Sequence, residues 1–163
     1  MTLATHIVIA AAVTKKIALY HPVIGFFAAI ASHYFSDAIP HWDYSLHASE
    51  HDDDIRMRRW GNNRALLLAD LRHVALDGLL GAGIVLLAIR PVSAAQWMWA
   101  ALSVVGGVLP DFLQALYFSG MRFLLPFQRL HDWAHTEIKL GHYPLIGVPF
   151  QAAIFLLALF FLA

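Results

Sequence analysis

Hydrophobic residues along this chain gather into five stretches, residues 3–19, 23–39, 74–89, 94–118 and 143–163, with polar segments at 40–72 and 119–142. A membrane-crossing helix takes about 20 largely apolar residues, with a lower limit of roughly 17. The last two stretches meet that length without a break. The first carries Lys15 and Lys16 near its end, where long side chains can snorkel to an interface, and the second and third are short and interrupted by polar groups. Polar groups turned toward a bundle interior would account for those interruptions. The pattern predicts an all-α fold, a polytopic transmembrane helical bundle of about five apolar helices, the first three less plainly marked than the others. It forms one integral-membrane domain over residues 1–163. Gly78, Gly81, Gly83, Gly106 and Gly107 then read as close helix contacts.

Segment 40–72 holds Asp52, Asp53 and Asp54 followed by Arg56, Arg58 and Arg59, and reads as a solvated loop with a short helix. If all five stretches span, this loop, the N-terminus and segment 119–142 share one side. That side carries Arg56, Arg58, Arg59, Arg64, Arg72, Arg122, Arg129 and Lys139, against Lys15, Lys16 and Arg90 opposite. The positive-inside rule makes the first side cytoplasmic. The N-terminus has no basic region ahead of its apolar run and reads as mature sequence.

Composition narrows the chemistry. The chain is 60% hydrophobic, has no net charge with histidine neutral and contains no cysteine. No basic tail or stripe suggests nucleic acid as a partner, and a metal site would have to be built from imidazole and carboxylate. Walker, dinucleotide-binding and nucleophile-elbow motifs are all missing from the sequence.

Histidines and carboxylates recur in helical register inside apolar sequence. His33 with Asp37, His73 with Asp77, and His131 with His135 are each four apart, which places both side chains on one helix face within reach of one ion. In the five-span threading His6, His33, Asp37, His73, Asp77, Asp111, His131 and His135 all fall toward the cytoplasmic end, and these eight are the candidate metal ligands. The plain alternative for His33 and Asp37 is a buried hydrogen bond pinning two helices, and for Asp111 a helix cap beside Pro110. His131–His135 lacks the glutamate of the zinc-protease HExxH motif, having Asp132 after the first histidine. Asp70 reads as solvent-exposed, and His21, His47, His51 and His142 as loop histidines.

With TH at 5–6, HxxxD at 33–37, PHWD at 40–43, LPD at 109–111 and HxxxH at 131–135, the chain resembles small bacterial membrane-bound metal-dependent hydrolase-like proteins. That group is linked by analogy to zinc-dependent phospholipase C and P1-type nucleases. The resemblance implies a bacterial inner-membrane location and His/Asp ligands at His33, Asp37, Asp77, Asp111, His131 and His135. Where the group often shows HRGxTH, this chain has HDWAH.

The expected function is metal-dependent hydrolysis of a phosphoester or related ester of a lipid at the cytoplasmic interface, with zinc, manganese or iron as the ion and zinc preferred. Asp132 or Asp43 would take the proton, and Arg129 or Arg72 would hold a lipid phosphate. The rivals are a non-catalytic metal protein serving structure, transport or sensing, an iron-based lipid oxidase, and a purely structural membrane protein. The partners are the bilayer and a lipid substrate. The last stretch would suit lipid contact or the seam of a homo-oligomer equally.

Overall fold

The computed structural model describes every residue except His51 and Lys139, so the reading of His51 as a loop histidine and the charge assigned to Lys139 lie outside the described residues. The helices are α1 (Leu3–Thr14), α2 (Ile17–Tyr20), α3 (Pro22–Asp37), α4 (Arg64–Ile89), α5 (Ala94–Phe118), α6 (Leu125–Ala134) and α7 (Pro144–Leu162). Two short strands, β1 (Ser49–Glu50) and β2 (Arg59–Trp60), pair antiparallel in the α3–α4 connection. The all-α reading is correct at this level.

Local chemistry sets the helix ends. Pro22 and Pro144 open α3 and α7, where a missing amide proton costs nothing and φ is already helical. The Asn63 side chain accepts from the Ala65 and Leu66 amides at the start of α4, and Ser93 with Gln96 forms a capping box on α5. α4 stops at Arg90, which adopts a left-handed conformation (φ 47°) just before Pro91.

Three helices, α4, α5 and α7, are long and apolar enough to cross a membrane. Their outer surfaces are apolar, with Leu79, Leu87, Leu145 and Phe160 pointing outward, while His6, Thr14, His33, Asp37 and Ser103 are buried inside. This inversion of the usual soluble pattern suits a hydrocarbon surround.

The five-span expectation is not met. At 12 and 16 residues, α1 and α3 rise about 18 and 24 Å, short of the roughly 30 Å hydrocarbon core. Instead α1 is the core of the bundle, buried along nearly its whole length and packed against α3, α4, α5 and α7. Lys15 does not snorkel to an interface, because its Nζ donates to the Leu162 carbonyl at 2.8 Å, closing the end of α7. Polar segment 40–72 is also shorter than its composition suggests: α4 begins at Arg64, ten residues ahead of the apolar run. The short helix expected in that loop is a single 3-10 turn, Ile55–Met57.

Small residues let α1 sit this close. A methyl group added at Gly81 would come within 2.6 Å of the Ala4 Cα, one at Gly106 within 2.6 Å of the Ala29 Cβ, and one at Gly107 within 3.2 Å of the His6 carbonyl. Gly83 was read as another such contact but faces open space, with nothing within 4 Å.

Candidate metal centre

The start of α1, the end of α3, the second half of α5 and the buried face of α6 meet at one end of the bundle. There α3 presents His33 and Asp37 one turn apart, both buried. α5 adds Asp111 directly after Pro110, and α6 adds His131. One donor atom from each of His33, Asp37, Asp111 and His131 lies within 4.8 Å of all the others, and this buried cluster could hold a metal ion.

The individual separations are more telling. His33 Nε2 is 3.1 Å from Asp37 Oδ2 and 3.5 Å from Asp111 Oδ1, and His131 Nε2 is 3.4 and 3.2 Å from the same two oxygens. Donors placed tetrahedrally at about 2.0–2.1 Å from a zinc-sized ion sit about 3.3–3.4 Å from one another. Although these contacts are short, His6 Nε2, His33 Nε2 and His131 Nε2 are buried without a hydrogen-bond partner. A hydrogen on any of these nitrogens would not point squarely at a carboxylate oxygen, so the short His to Asp separations are not well-formed hydrogen bonds.

The far ring nitrogens explain the orientation. His33 Nδ1 lies 2.8 Å from the Gly107 carbonyl, His41 Nδ1 2.7 Å from the Ile39 carbonyl, and His135 Nδ1 3.2 Å from the Thr136 carbonyl. His6 Nδ1 lies 2.9 Å from Ser36 Oγ, whose own proton goes to the His33 carbonyl. Each acceptor fixes the proton on Nδ1 of a neutral imidazole and leaves the Nε2 lone pair free, the arrangement that supports metal-bound histidines. His131 differs: its Nδ1 lies 3.0 Å from the Gln114 amide nitrogen, which donates to it, so this ring carries its proton on Nε2, toward the carboxylates.

The other Asp37 oxygen serves a second group. Asp37, His41 and His135 also share donor atoms within 4.8 Å, and His6 Nε2 and the Met1 amino group approach Asp37 Oδ1 at 3.1 and 3.2 Å. The chain after α6 is strapped onto α3 to build this group: the Thr136 amide donates to the Asp37 carbonyl (2.8 Å) and the Leu140 amide to the His41 carbonyl (3.2 Å). Burial, with the nearby amino terminus, pushes His41 down to about 4, and burial also lowers His135, so both favour the neutral form that ligates metal. His131 is pushed up to about 9, because Asp111 and Asp37 outweigh the burial that opposes a charge there. Those carboxylates call for a cation at this point.

Both groups open onto a cavity of about 680 Å³ whose wall includes Asp43, Tyr44, Leu46, Arg58, Trp60, Leu71, Val74, Phe118 and Asp132. Asp43 is exposed on this wall, 3.5 Å from the Met1 amino group, and desolvation outweighs that cation to push its carboxyl up to about 6.

Of the eight expected ligands, His33, Asp37, Asp111 and His131 form the first group, His135 joins Asp37 in the second, and His6 stacks on His33 with ring centroids 3.8 Å apart. His73 and Asp77 are drawn elsewhere. His73 stacks on Tyr44 at 4.4 Å, and Asp77 accepts from the Ala4 amide (3.3 Å) and Tyr44 Oη (3.4 Å), which suits a carboxylate at the N-terminal end of α1. Asp132 is tied to Arg58 (2.6 Å) and Gln128 (2.9 Å), while Arg129 is exposed on α6 and Arg72 lies on the outer face of α4, neither of them lining the cavity. Asp70, read as solvent-exposed, is buried and accepts from the Ala48 amide at 2.7 Å, anchoring the loop ahead of β1.

His41 was passed over as a ligand. The signal was present, since 33, 37 and 41 continue one four-residue spacing, but Pro40 marks a helix end and breaks the register ahead of His41. The chain matches no protein-family model, no curated protein and no solved structure.

Proposed function

We propose that this protein is a membrane-embedded, metal-dependent hydrolase acting on a phosphoester of a lipid. The observation that carries the metal reading is the set of three buried Nε2 atoms that converge on Asp37 and Asp111 yet make no hydrogen bond. Nitrogen and oxygen donors without thiolate suit zinc, manganese or iron, and a compact four-donor set favours zinc. The resemblance to membrane-bound hydrolase-like proteins points the same way.

The two groups divide the work. His33, Asp37, Asp111 and His131 supply four protein donors, enough to complete a tetrahedral shell, which by itself favours a structural ion. Asp37, His41 and His135 supply only three donors and border the cavity, leaving room for water and substrate. A divalent ion bound there supplies Lewis acidity and brings the pKa of a coordinated water toward neutral. Asp43, on the cavity wall, accepts the proton from the attacking water. Asp37 bridges the two groups and fixes their spacing, and the Nδ1 acceptors hold the imidazoles in place.

Lipid is favoured by the walls and by depth. Leu46, Trp60, Leu71, Val74 and Phe118 give the cavity an apolar side. Asp111 lies seven residues before the end of α5 at Phe118, about 10 Å along the helix, a depth suited to a headgroup. The arginines of the loops at this end favour a cytoplasmic side by the positive-inside rule.

Elemental analysis of detergent-purified protein, paired with release of phosphorylated headgroup from phospholipid in mixed micelles, tests the proposal. Stoichiometric zinc and turnover are expected in the wild type, with both lost in a His33→Ala, Asp37→Ala double variant that still folds. Turnover that survives in metal-stripped protein would overturn it.

A further inference from the structure

The loop between α3 and α4 brings one permanent cation to the metal groups. Trp60 Nε1 donates to the Ala115 carbonyl (3.1 Å), Tyr117 Oη to the Ile55 carbonyl (3.0 Å), and Arg122 Nη1 to the Arg58 carbonyl (3.0 Å), so the segment is clamped to the end of α5. Arg58 lies inside this clamped segment. Among the described residues it is the one lysine or arginine side chain on the cavity wall, whose other cation, the Met1 amino group, is already held by Asp37 and Asp43 at 3.2 and 3.5 Å.

The guanidinium is aimed by two bonds. Nη1 donates to Asp132 Oδ2 at 2.6 Å, and Nε donates to the Asp52 carbonyl at 2.9 Å. The other Asp132 oxygen accepts from Gln128 Nε2 at 2.9 Å, which keeps that carboxylate in position. Asp132 directly follows His131 on α6, so one helix fixes both a metal ligand and the acceptor that orients the cation. Nη2 has no partner among the described residues. A guanidinium held through Nε and Nη1 with Nη2 free is suited to a phosphate oxygen, which a compact ammonium would hold less specifically.

We propose that Arg58 is the phosphate-binding residue of the cavity and that Asp132 is its positioning residue, the ligand being the phosphate of an anionic lipid whose acyl chain lies along Leu71, Val74 and Phe118. This rests on the phosphoester reading above, and it gives Asp132 a holding role in place of the proton-accepting one expected from sequence.

The test is a calorimetric titration of zinc-supplemented, detergent-purified protein with inorganic phosphate and, separately, with a short-chain phosphatidate below its micellar concentration. Metal content is measured on every sample. Arg58→Gln is expected to weaken both ligands roughly 10- to 100-fold with metal content unchanged, the range for losing a charge-assisted hydrogen bond. Arg58→Lys keeps a charge beside Asp132, is expected to weaken both several-fold, and carries the test if the glutamine variant fails to fold. Tighter binding of phosphatidate than of inorganic phosphate supports the lipid source, whereas equal binding overturns it. Unchanged affinity in folded Arg58 variants, or no binding by metal-loaded wild type, overturns the subsite and leaves the metal centre standing. Wild type that takes up no zinc overturns the phosphoester reading and the subsite with it.

Discussion

Asp37→Asn separates a metal centre from a network of helix-pinning hydrogen bonds. The substitution keeps the shape of the side chain and removes the charge shared by both ligand groups; His33 Nε2 of the first comes within 3.1 Å of its oxygens and His41 Nε2 of the second within 3.9 Å. A buried polar atom left unpaired costs about 1–3 kcal/mol, and an ion that engages an Nε2 atom beside Asp37 removes a cost of that order. An ion at a free concentration a hundredfold above its Kd stabilises by about 2.7 kcal/mol. At about 2–4 °C per kcal/mol for a chain of this size, chelation should lower the wild-type Tm by about 5–11 °C. The assay is thermal unfolding in detergent of zinc-loaded protein, with and without a strong chelator. The wild type should show the shift, and Asp37→Asn should melt at one temperature in both conditions. A wild type indifferent to chelator, with Asp37→Asn still destabilised, would show that Asp37 acts through hydrogen bonds and would refute the metal argument.

Ser36→Ala removes the oxygen that holds His6 Nδ1 at 2.9 Å without touching a donor atom, and should weaken zinc binding about 10-fold or more in a competition titration while turnover at saturating zinc survives. Gly81→Val would place a methyl carbon 2.6 Å from the Ala4 Cα, and should lower the Tm by an amount corresponding to about 1–3 kcal/mol, whereas Gly83→Ala, facing open space, should leave the Tm unchanged or raise it slightly.

The helical character and the shared level of the chemistry were legible because both follow from spacing. The pairs 33/37 and 131/135 read correctly as donors brought to one end of the bundle. What misled was the equation of apolar length with membrane span. Residues 3–14 are apolar because α1 is buried along most of its length against four other helices, and a helix enclosed by protein has the same composition as one facing lipid. Spacing also failed to distinguish His73 and Asp77 from the true cluster. Their register is as good as that of His33 and Asp37, but Asp77 is drawn to the amide of Ala4, and only the packing of α1 against α4 shows that. Arg58 carried no sequence signal, standing in a run of charges whose fold depends on Trp60 and Tyr117 reaching across to partners 55 and 62 positions away.

The short central helix and the buried site have one physical origin. Donors can converge from α1, α3 and α5 only if those backbones approach closely, which is why Gly106 and Gly107 sit on α5 opposite Ala29 and His6. The same approach makes the backbone part of the site, since Gly107, whose α-carbon faces α1, also accepts from His33 Nδ1 through its carbonyl. A side chain at Gly107 would push α1 outward, carry His6 away from Asp37 and turn His33 from its acceptor in a single movement. Helix packing and the geometry of the His/Asp cluster are therefore one constraint in this protein, and a variant that loosens the bundle at this level should lose zinc uptake before it loses its helices.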